Sequence, residues 1–259
     1  MSSAAWVVNG ANEVNEGSEA VEWSAEARFA LYYAPSRDSA WWQAGSEWLG
    51  GDAESGVPYT PPQPLTLVRT VSELTQEPRR YGWHGTLVPP FRLADDVAQH
   101  GVLAGARRWA QQQQPFGLPV EAATLGDFVA LRPAEPAGDR GMRELASSAL
   151  RTLDGLRAKP SAADLARRLA APLTERQRAL LVEWGYPYVF DEFRFHMTLS
   201  SSLEAADERA ALVAWWHDRI AALGPLMVDS VALFVEPVPG EPFVLWQRLP
   251  FQTEGVEQQ

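Results

Sequence analysis

Two short phrases of the same form combine a titratable imidazole with a hydroxyl. They are His84–Leu87, with the sequence HGTL, and His196–Leu199, with the sequence HMTL, one in each half of the chain. Half of the four histidines open such a phrase. Side chains alternate across a β-strand, and a His and the Thr two places later therefore point to the same face. Each phrase is expected to present its imidazole and its hydroxyl on one side of a strand.

Two imidazoles that face one cleft can perform acid–base chemistry at phosphorus. With ordinary pKa values near 6.5, one neutral imidazole can accept a proton from water or a hydroxyl while the other, protonated, gives one to a leaving oxygen. The hydroxyls of Thr86 and Thr198 can donate hydrogen bonds to the non-bridging oxygens of a phosphate held between them. Cyclic phosphodiesters suit such a site because ring strain and a tethered alcohol assist in-line attack.

Metal binding is the competing use of two histidines. Asp191 and Glu192 are close to the second phrase, but they precede its strand, and no His-x-His or His-x-x-x-His spacing exists. His100 and His217 have charged, helical surroundings and are expected at the surface. There is also no Gly-rich phosphate loop and no dinucleotide fingerprint. We therefore expect neither a metal nor a cofactor.

Three strands are expected to position these groups. A strand over Phe193–Ser200 alternates apolar and polar residues, which places Arg194 on the same face as the second histidine. A short strand over Arg79–Leu87 carries the first histidine and is expected to stop at the following Pro89-Pro90. A strand over Arg28–Ala34 carries Tyr32 on a face with small residues, where its side chain can reach a substrate.

The remaining pattern interleaves helices with strand pairs. Amphipathic helices are expected at about 95–113 and 204–222, and two or three more within 139–184. Hairpin-like strand pairs are expected at 116–124 with 127–132, and at 226–236 with 242–249. Interleaved helices and hairpins predict an α+β fold with antiparallel sheets.

The composition limits the classes of partner. The chain has 259 residues, is 46% hydrophobic and has a net charge of -11, so it can fold and its surface disfavours nucleic acid and anionic membranes in general. It has no cysteine and no apolar run long enough for a membrane span. Its first residues lack the basic start of a signal peptide. We expect a cytoplasmic protein.

The paired His-x-Thr strands resemble those of the two-histidine (2H) phosphoesterase superfamily. More narrowly, the chain resembles a family of phosphonate-metabolism proteins encoded in bacterial phosphonate-utilisation operons. Four stretches carry this resemblance: Arg28–Pro35, Trp41–Gly51, Tyr81–Leu87 with Pro90–Leu93, and Trp184–Leu199. The last stretch is far more specific than the two short phrases.

The resemblance implies a bilobal α+β fold with pseudo-twofold symmetry, in which each lobe gives one His-x-Thr to a central cleft. It implies metal-independent chemistry on 2′,3′- or 1,2-cyclic phosphodiesters, with His84 and His196 as acid and base. The expected organisation is a flexible N-terminal extension (1–26), one bilobal domain (27–250) and a flexible tail (251–259). The oligomeric state and the order of acid and base stay open.

One position departs from the family pattern. The resemblance implies a lysine directly after the first His-x-Thr-Leu, where this chain has Val88, and its single lysine is Lys159. Arg194 and Arg92 are the candidates to hold a phosphate instead, because a guanidinium can bind two phosphate oxygens at once.

The leading functional hypothesis is a cyclic phosphodiesterase acting on a small sugar or nucleotide cyclic phosphate in phosphonate metabolism. A basic channel leading to the histidines would instead favour an RNA-end enzyme, either a 2′,3′-cyclic phosphodiesterase or a 2′–5′ RNA ligase-like protein. The third alternative is a module that binds a phosphate ester without turning it over. The acidic chain favours a small-molecule substrate over nucleic acid.

Overall fold

The computed structural model describes residues 23–252. Residues 1–22 and 253–259, which contain most of the predicted extension and tail, lie outside the described residues. Between these limits strands and helices follow in this order: β1 Arg28–Tyr33, α1 Ala40–Leu49, α2 Val71–Leu74, β2 Gly85–Phe91, α3 Gln99–Ala110, β3 Phe116–Leu118, β4 Val120–Leu125, β5 Phe128–Pro133, α4 Pro136–Leu153, α5 Ala162–Leu169, α6 Glu175–Trp184, β6 Met197–Thr198, α7 Ala206–Leu223, β7 Leu226–Val228, β8 Ser230–Glu236 and β9 Val244–Pro250. Short 3₁₀ helices span Pro78–Tyr81, Asp154–Leu156 and Phe190–Glu192.

The strands form antiparallel sheets that define two lobes. The first lobe is built on a four-stranded sheet in the order β2-β1-β8-β9, and the second on a three-stranded sheet in the order β4-β5-β6. Strands β3 and β7 form a separate pair. The prediction of a bilobal α+β fold with antiparallel sheets is confirmed.

Both motif strands lie at sheet edges. β2 is an edge strand of the first sheet, paired through Tyr32 opposite Thr86, and β6 is an edge strand of the second, paired through Ala130 opposite Thr198. The sequence predicted a strand over Arg79–Leu87 that Pro89-Pro90 would stop, but Pro78–Tyr81 forms a 3₁₀ helix, and β2 begins at Gly85 and continues through both prolines to Phe91. An edge strand tolerates proline because its outer N–H groups have no strand to pair with.

The second motif strand is shorter than expected. Only Met197 and Thr198 pair with β5, whereas a strand over Phe193–Ser200 was predicted. The alternation still holds in part, because Phe193 and Phe195 are buried on one side while His196 is partly exposed on the other. The unpaired part of the segment is therefore positioned by its apolar side chains.

Helix α1 anchors the second motif to the core. Ser39 caps its first turn, and Gly50 ends it in a left-handed conformation. Trp48 is fully buried, and its Nε1–H donates to the carbonyl oxygen of Leu199 at 2.8 Å. On the other side of the motif, Ser200 Oγ accepts a hydrogen bond from the backbone N–H of Val129 at 3.0 Å. These bonds fix the chain directly after Thr198.

Among residues 23–252, no helix combines the length and the apolar character that crossing a membrane requires.

Candidate active site

The two motif strands come together where a glycine removes a side chain. A Cβ atom on Gly85 would lie 2.4 Å from the ring of Phe195 and 3.3 Å from Cγ of Met197, and the first distance is shorter than any real contact of this kind. The glycine in the first motif therefore lets the apolar side of the second motif pack directly against β2. The close approach holds the two polar sides at one cavity.

That cavity, of about 400 Å³, lies between the lobes. All four motif side chains with polar groups line it: His84, Thr86, His196 and Thr198. The structure thus brings together residues that are widely separated in the chain.

The two imidazoles are held in equivalent ways. Nδ1 of His84 lies 2.9 Å from the carbonyl oxygen of Gly82, and Nδ1 of His196 lies 2.9 Å from that of Arg194. A carbonyl oxygen only accepts, so each Nδ1 donates and each Nε2 keeps its lone pair in the neutral form. Thr86 Oγ1 lies 3.3 Å from Nε2 of His84 and can donate to it. Both histidines thus have the tautomer required of a base.

Gly82 supplies the carbonyl for the first histidine through an unusual backbone conformation. Its φ is 72°, in the region that favours glycine, and a Cβ atom there would lie 2.5 Å from Cβ of Ala53. The orientation of His84 therefore depends on a glycine two residues earlier.

Burial favours the neutral form of both imidazoles. It lowers the pKa of His84 to about 4, against the opposing effect of the Gly82 hydrogen bond, and the nearby His196 lowers this pKa further. Burial also lowers the pKa of His196, although the Arg194 carbonyl partly offsets it. A phosphate anion placed between the rings would favour the charged form of each and raise both pKa values.

Tyr32, the sequence candidate on β1, lies in the wall of this cavity. Its ring is fully buried and stacks on His84, with a centroid distance of 4.0 Å and an interplanar angle of 29°. Burial raises the pKa of Tyr32 well above its usual range, so the phenol stays protonated. Tyr32 fixes the plane of the first imidazole.

Four further wall residues with polar side chains were not identified from the sequence: Arg28, Tyr81, Arg168 and Tyr186. Strand alternation could have identified Arg28, because it lies four residues before Tyr32 on β1 and shares a face with it. Arg28 pairs with Glu236, whose side chain is 0% exposed and also pairs with Arg80. Arg168 lies on α5, and no local pattern connects it with either motif.

The two arginines predicted to replace the family lysine lie elsewhere. Arg194 is exposed, is absent from the cavity wall, and its Nη1 donates to the carbonyls of Asp191 and Phe193, both at 2.8 Å. The predicted shared face does not extend to it, because the chain leaves a 3₁₀ helix there and the guanidinium binds that helix end. Arg92 lies in a neighbouring pocket, where it pairs with Glu26 at 2.7 Å.

Val88 has no role in the cavity wall. It is fully buried in the core and lies opposite Leu31 in the β1–β2 pairing. The departure from the family pattern at this position therefore removes no polar group from the site of this chain.

The acidic residues considered as metal ligands are engaged with other partners. Asp191 forms an ion pair with Arg176 at 2.7 Å, and Glu192 accepts a hydrogen bond from Gln177 at 3.0 Å. In the described range, 23–252, no group of three or more His, Asp or Glu side chains has the arrangement of a metal site.

A smaller cavity, of about 280 Å³, opens on the far side of the first histidine. His84 and Thr198 line both cavities, and the smaller one also contains Glu77, Asp127 and Phe128. The histidine site is thus flanked by arginines on one side and by carboxylates on the other. Such asymmetry can orient a substrate.

Comparison with known proteins gives a family and longer relatives. A family model described as "Protein of unknown function (DUF1045)" matches residues 86–244. A protein of Janthinobacterium sp. (strain Marseille), named ribose 1,5-bisphosphate phosphokinase PhnN, is 40% identical over 239 residues, which are 88% of this chain and 51% of that protein. A protein of the same name from Laribacter hongkongensis (strain HLHK9) is 39% identical over 222 residues, 84% of this chain and 50% of that protein. The chain spans about half the length of these relatives.

Solved structures with a related outline are distant in sequence. One described as a phosphoesterase is 14% identical, with a TM-score of 0.40 over 87% of this chain and 99% of that chain. Escherichia coli LigT complexed with 3′-AMP is 14% identical, with a TM-score of 0.39 over 88% of this chain and 99% of that chain. The family model, by contrast, covers more than half of the chain, and the protein therefore belongs to the DUF1045 family.

Proposed function

We propose that this protein is a phosphoesterase that opens small cyclic phosphodiesters, with His84 and His196 as its acid–base pair. One observation carries the proposal: the two imidazoles, each held through Nδ1 by the carbonyl two residues earlier, line the same cavity as Thr86 and Thr198. Two equivalently held bases in the wall of one cavity match the needs of in-line displacement at phosphorus.

The proposed step consumes one water and breaks one ring bond. A neutral imidazole Nε2 takes a proton from water as the water oxygen bonds to phosphorus. The other imidazole, protonated, gives its Nε2 proton to the ring oxygen that leaves as an alcohol. The hydroxyls of Thr86 and Thr198 donate to the non-bridging oxygens, whose charge they stabilise. Proton exchange with solvent restores the starting state.

We assign the base to His84 and the acid to His196. Burial lowers the pKa of His84 to about 4 despite the Gly82 hydrogen bond, and the neighbouring His196 lowers it further, whereas burial alone lowers the pKa of His196, against its own carbonyl hydrogen bond. Tyr32 stacks on His84 and preserves its orientation throughout the step. The first imidazole is therefore the better candidate to begin the reaction without a proton.

The names of the relatives suggest a sugar phosphate as substrate. A kinase of the P-loop type needs a lysine after glycine, and the single lysine of this chain, Lys159, follows Ala158. We therefore assign the named kinase activity to the part of those proteins that this chain does not match. A ribosyl cyclic phosphate is then the first substrate to test, because its opening yields a ribose phosphate in the same metabolic context.

A panel of cyclic phosphodiesters tests the proposal: nucleoside 2′,3′-cyclic, nucleoside 3′,5′-cyclic and ribosyl 1,2-cyclic phosphates, with the position of the product phosphate identified. His84→Ala and His196→Ala should each lower turnover by roughly 10²–10⁴. His217→Ala, which changes an exposed histidine on α7, is the matched control. Turnover should survive thorough chelation. Full activity in either motif variant, or tight binding without turnover, would contradict the proposal.

A substrate with an activated leaving group tests the assignment of acid and base. A p-nitrophenyl phosphodiester releases p-nitrophenolate, which needs no proton to leave. His196→Ala should therefore lose much less activity on this ester than on a ribosyl cyclic phosphate. His84→Ala should lose activity on both, because water still needs a base. Equal losses in the two variants on both substrates would refute the assignment.

A second candidate, an RNA-end phosphodiesterase, is favoured by the two arginines in the cavity wall, Arg28 and Arg168. It predicts that an oligonucleotide with a 2′,3′-cyclic end is a better substrate than the matching mononucleotide. The net charge of -11 favours the mononucleotide. Comparison of kcat/KM for the two at one ionic strength decides between them.

A further inference from the structure

A strongly basic pocket adjoins the histidine cavity. It has a volume of about 420 Å³, and Arg28, Pro90 and Arg168 line both spaces. Six cationic side chains contribute to its wall: Arg28, Arg92, Arg157, Lys159, Arg167 and Arg168. Only two carboxylates, Glu26 and Asp164, accompany them in the wall. The wall of this pocket is therefore locally positive although the chain has a net charge of -11, and the wall contains the single lysine of the chain.

Half of these cations are already compensated. Arg92 pairs with Glu26 at 2.7 Å, and Arg167 pairs with Asp164 at 2.6 Å. Arg28 pairs with the buried Glu236. These three give the pocket a structured border and contribute little free positive charge.

The other three cations lack adequate counter-charge. Neither Arg168 nor Lys159 has a carboxylate within 4.0 Å in the part of the chain that the structure describes, residues 23–252. Arg168 donates through Nη1 to the carbonyl oxygen of Gly185. The positive charge of the Arg168 guanidinium disfavours the charged form of the nearby Arg157 and lowers the pKa of Arg157. Two neighbouring cations with so little compensation favour an anion between them.

Arg157 is the most unusual member of the group. Its side chain is 8% exposed, and its one carboxylate partner, Asp154, is 3.3 Å away and mostly exposed. Its Nη2 donates to the carbonyl oxygen of Trp184 at 2.7 Å, but its Nε is buried without a hydrogen-bond partner in the described residues. Burial is the main effect that lowers its pKa. A buried cation with an unused donor is costly unless a ligand compensates it.

We propose that this pocket binds a phosphomonoester group of the same molecule whose cyclic phosphodiester lies at His84 and His196. Arg157, Arg168 and Lys159 hold its oxygens, because guanidinium groups bind phosphate oxygens in pairs and the ammonium adds a point charge. This inference rests on the proposed function and narrows it: the substrate class is a small cyclic phosphodiester that carries a second, terminal phosphate.

Matched substrate pairs test the subsite. The pairs are adenosine 2′,3′-cyclic phosphate and ribose 1,2-cyclic phosphate, each with and without a 5-position phosphate. The wild-type enzyme should have a kcat/KM roughly 10–100-fold higher for the phosphorylated member, the usual value of charged hydrogen bonds. A ratio near one in both pairs would overturn the inference.

Single-charge variants locate the effect. Arg168→Gln should reduce that ratio roughly tenfold or more, and Lys159→Gln roughly threefold, because the lysine is exposed. Arg108→Gln, which removes one exposed positive charge on α3 outside the pocket, should keep the wild-type ratio. An unchanged ratio in both pocket variants would also overturn the inference.

Direct binding separates failure of the subsite from failure of the proposed function. Calorimetry with ribose 5-phosphate needs no turnover, and this probe should bind to the wild type, more weakly to both pocket variants, and better than ribose. Binding of this pattern without any cyclic phosphodiesterase activity would support the subsite and refute the proposed function. Turnover of unphosphorylated substrates without saturable ribose 5-phosphate binding would refute the subsite alone.

Discussion

The pH dependence of the proposed reaction follows directly from the burial of its two imidazoles. The pKa of His84 is about 4 and that of His196 is below its usual 6.5. The free enzyme is competent when one imidazole is neutral and the other protonated, and this state is most populated between the two pKa values. At pH 7 only about one His84 in a thousand carries a proton. We therefore expect kcat/KM to be maximal below pH 6.5.

Bound substrate is expected to shift the pH profile of the reaction to higher pH. A bound phosphate anion stabilises each imidazolium and raises its pKa. Because kcat reports the enzyme–substrate complex and kcat/KM the free enzyme, the bell for kcat should lie at higher pH than the bell for kcat/KM. The measurement is a pair of profiles from about pH 4 to 9, recorded at constant ionic strength with one cyclic substrate.

The same burial predicts a loss of stability in acid. The folded-state pKa of His84 is lower than its unfolded value, so the unfolded chain binds more protons between the two. The free energy of unfolding should therefore fall as the pH decreases from about 6.5 to about 4, by roughly 3 kcal/mol for a shift of this size. His84→Gln should weaken this dependence, and urea unfolding at several pH values measures it.

Two pH profiles would contradict these expectations. If the bell for kcat/KM were centred above pH 7, the imidazoles of the free enzyme would not be desolvated as the structure indicates. A profile that is flat through neutrality would instead exclude an acid–base role for both histidines.

Two packing predictions can be checked by urea unfolding together with turnover. Gly85→Ala places a methyl group against the Phe195 ring. We expect the free energy of unfolding to fall by about 2 kcal/mol or more, and turnover to fall as the motif strands separate. Gly117→Ala, with open space at its Cβ position, should change neither quantity. Glu236→Gln leaves its two arginine partners without their buried carboxylate; because both arginines are partly exposed, we expect a loss of about 1–3 kcal/mol. Wild-type stability of Gly85→Ala or of Glu236→Gln would contradict the packing argument.

The local parts of the fold could be predicted from the sequence. The strand at Arg28 carries its own signal in a run of apolar and aromatic residues, and the helix between Ser39 and Gly50 carries one in its pair of caps. Apolar residues from Leu65 to Leu74 have helical spacing and predict a helix over about 65–73, but the structure has a helix only at Val71–Leu74, and Leu65 is fully exposed. Helical spacing of apolar residues in a proline-rich loop was insufficient evidence, because Leu65 and Val68 are exposed and the fully buried apolar residues of this stretch begin only at Val71.

The site was predictable only as far as its motifs. The His-x-Thr pairs and Tyr32 follow from strand alternation, and the structure places them all at one cavity. Arg168 and Arg157 come from a helix and a loop whose positions depend on tertiary packing, and their sequence surroundings resemble any solvated surface. Arg194 was misplaced because alternation was extended to residues that do not pair with a strand.

The packing of Phe195 over Gly85 has a consequence for how the protein acquires activity. The two histidines of the proposed acid–base pair belong to different lobes, so a folding intermediate with a single native lobe holds one histidine and no complete pair. Contacts between such distant segments form late and slowly, because the long intervening chain must first be ordered. Recovery of turnover during refolding should therefore lag behind the recovery of helical circular dichroism. The proposed reaction would then serve as a reporter of the final docking of the two lobes.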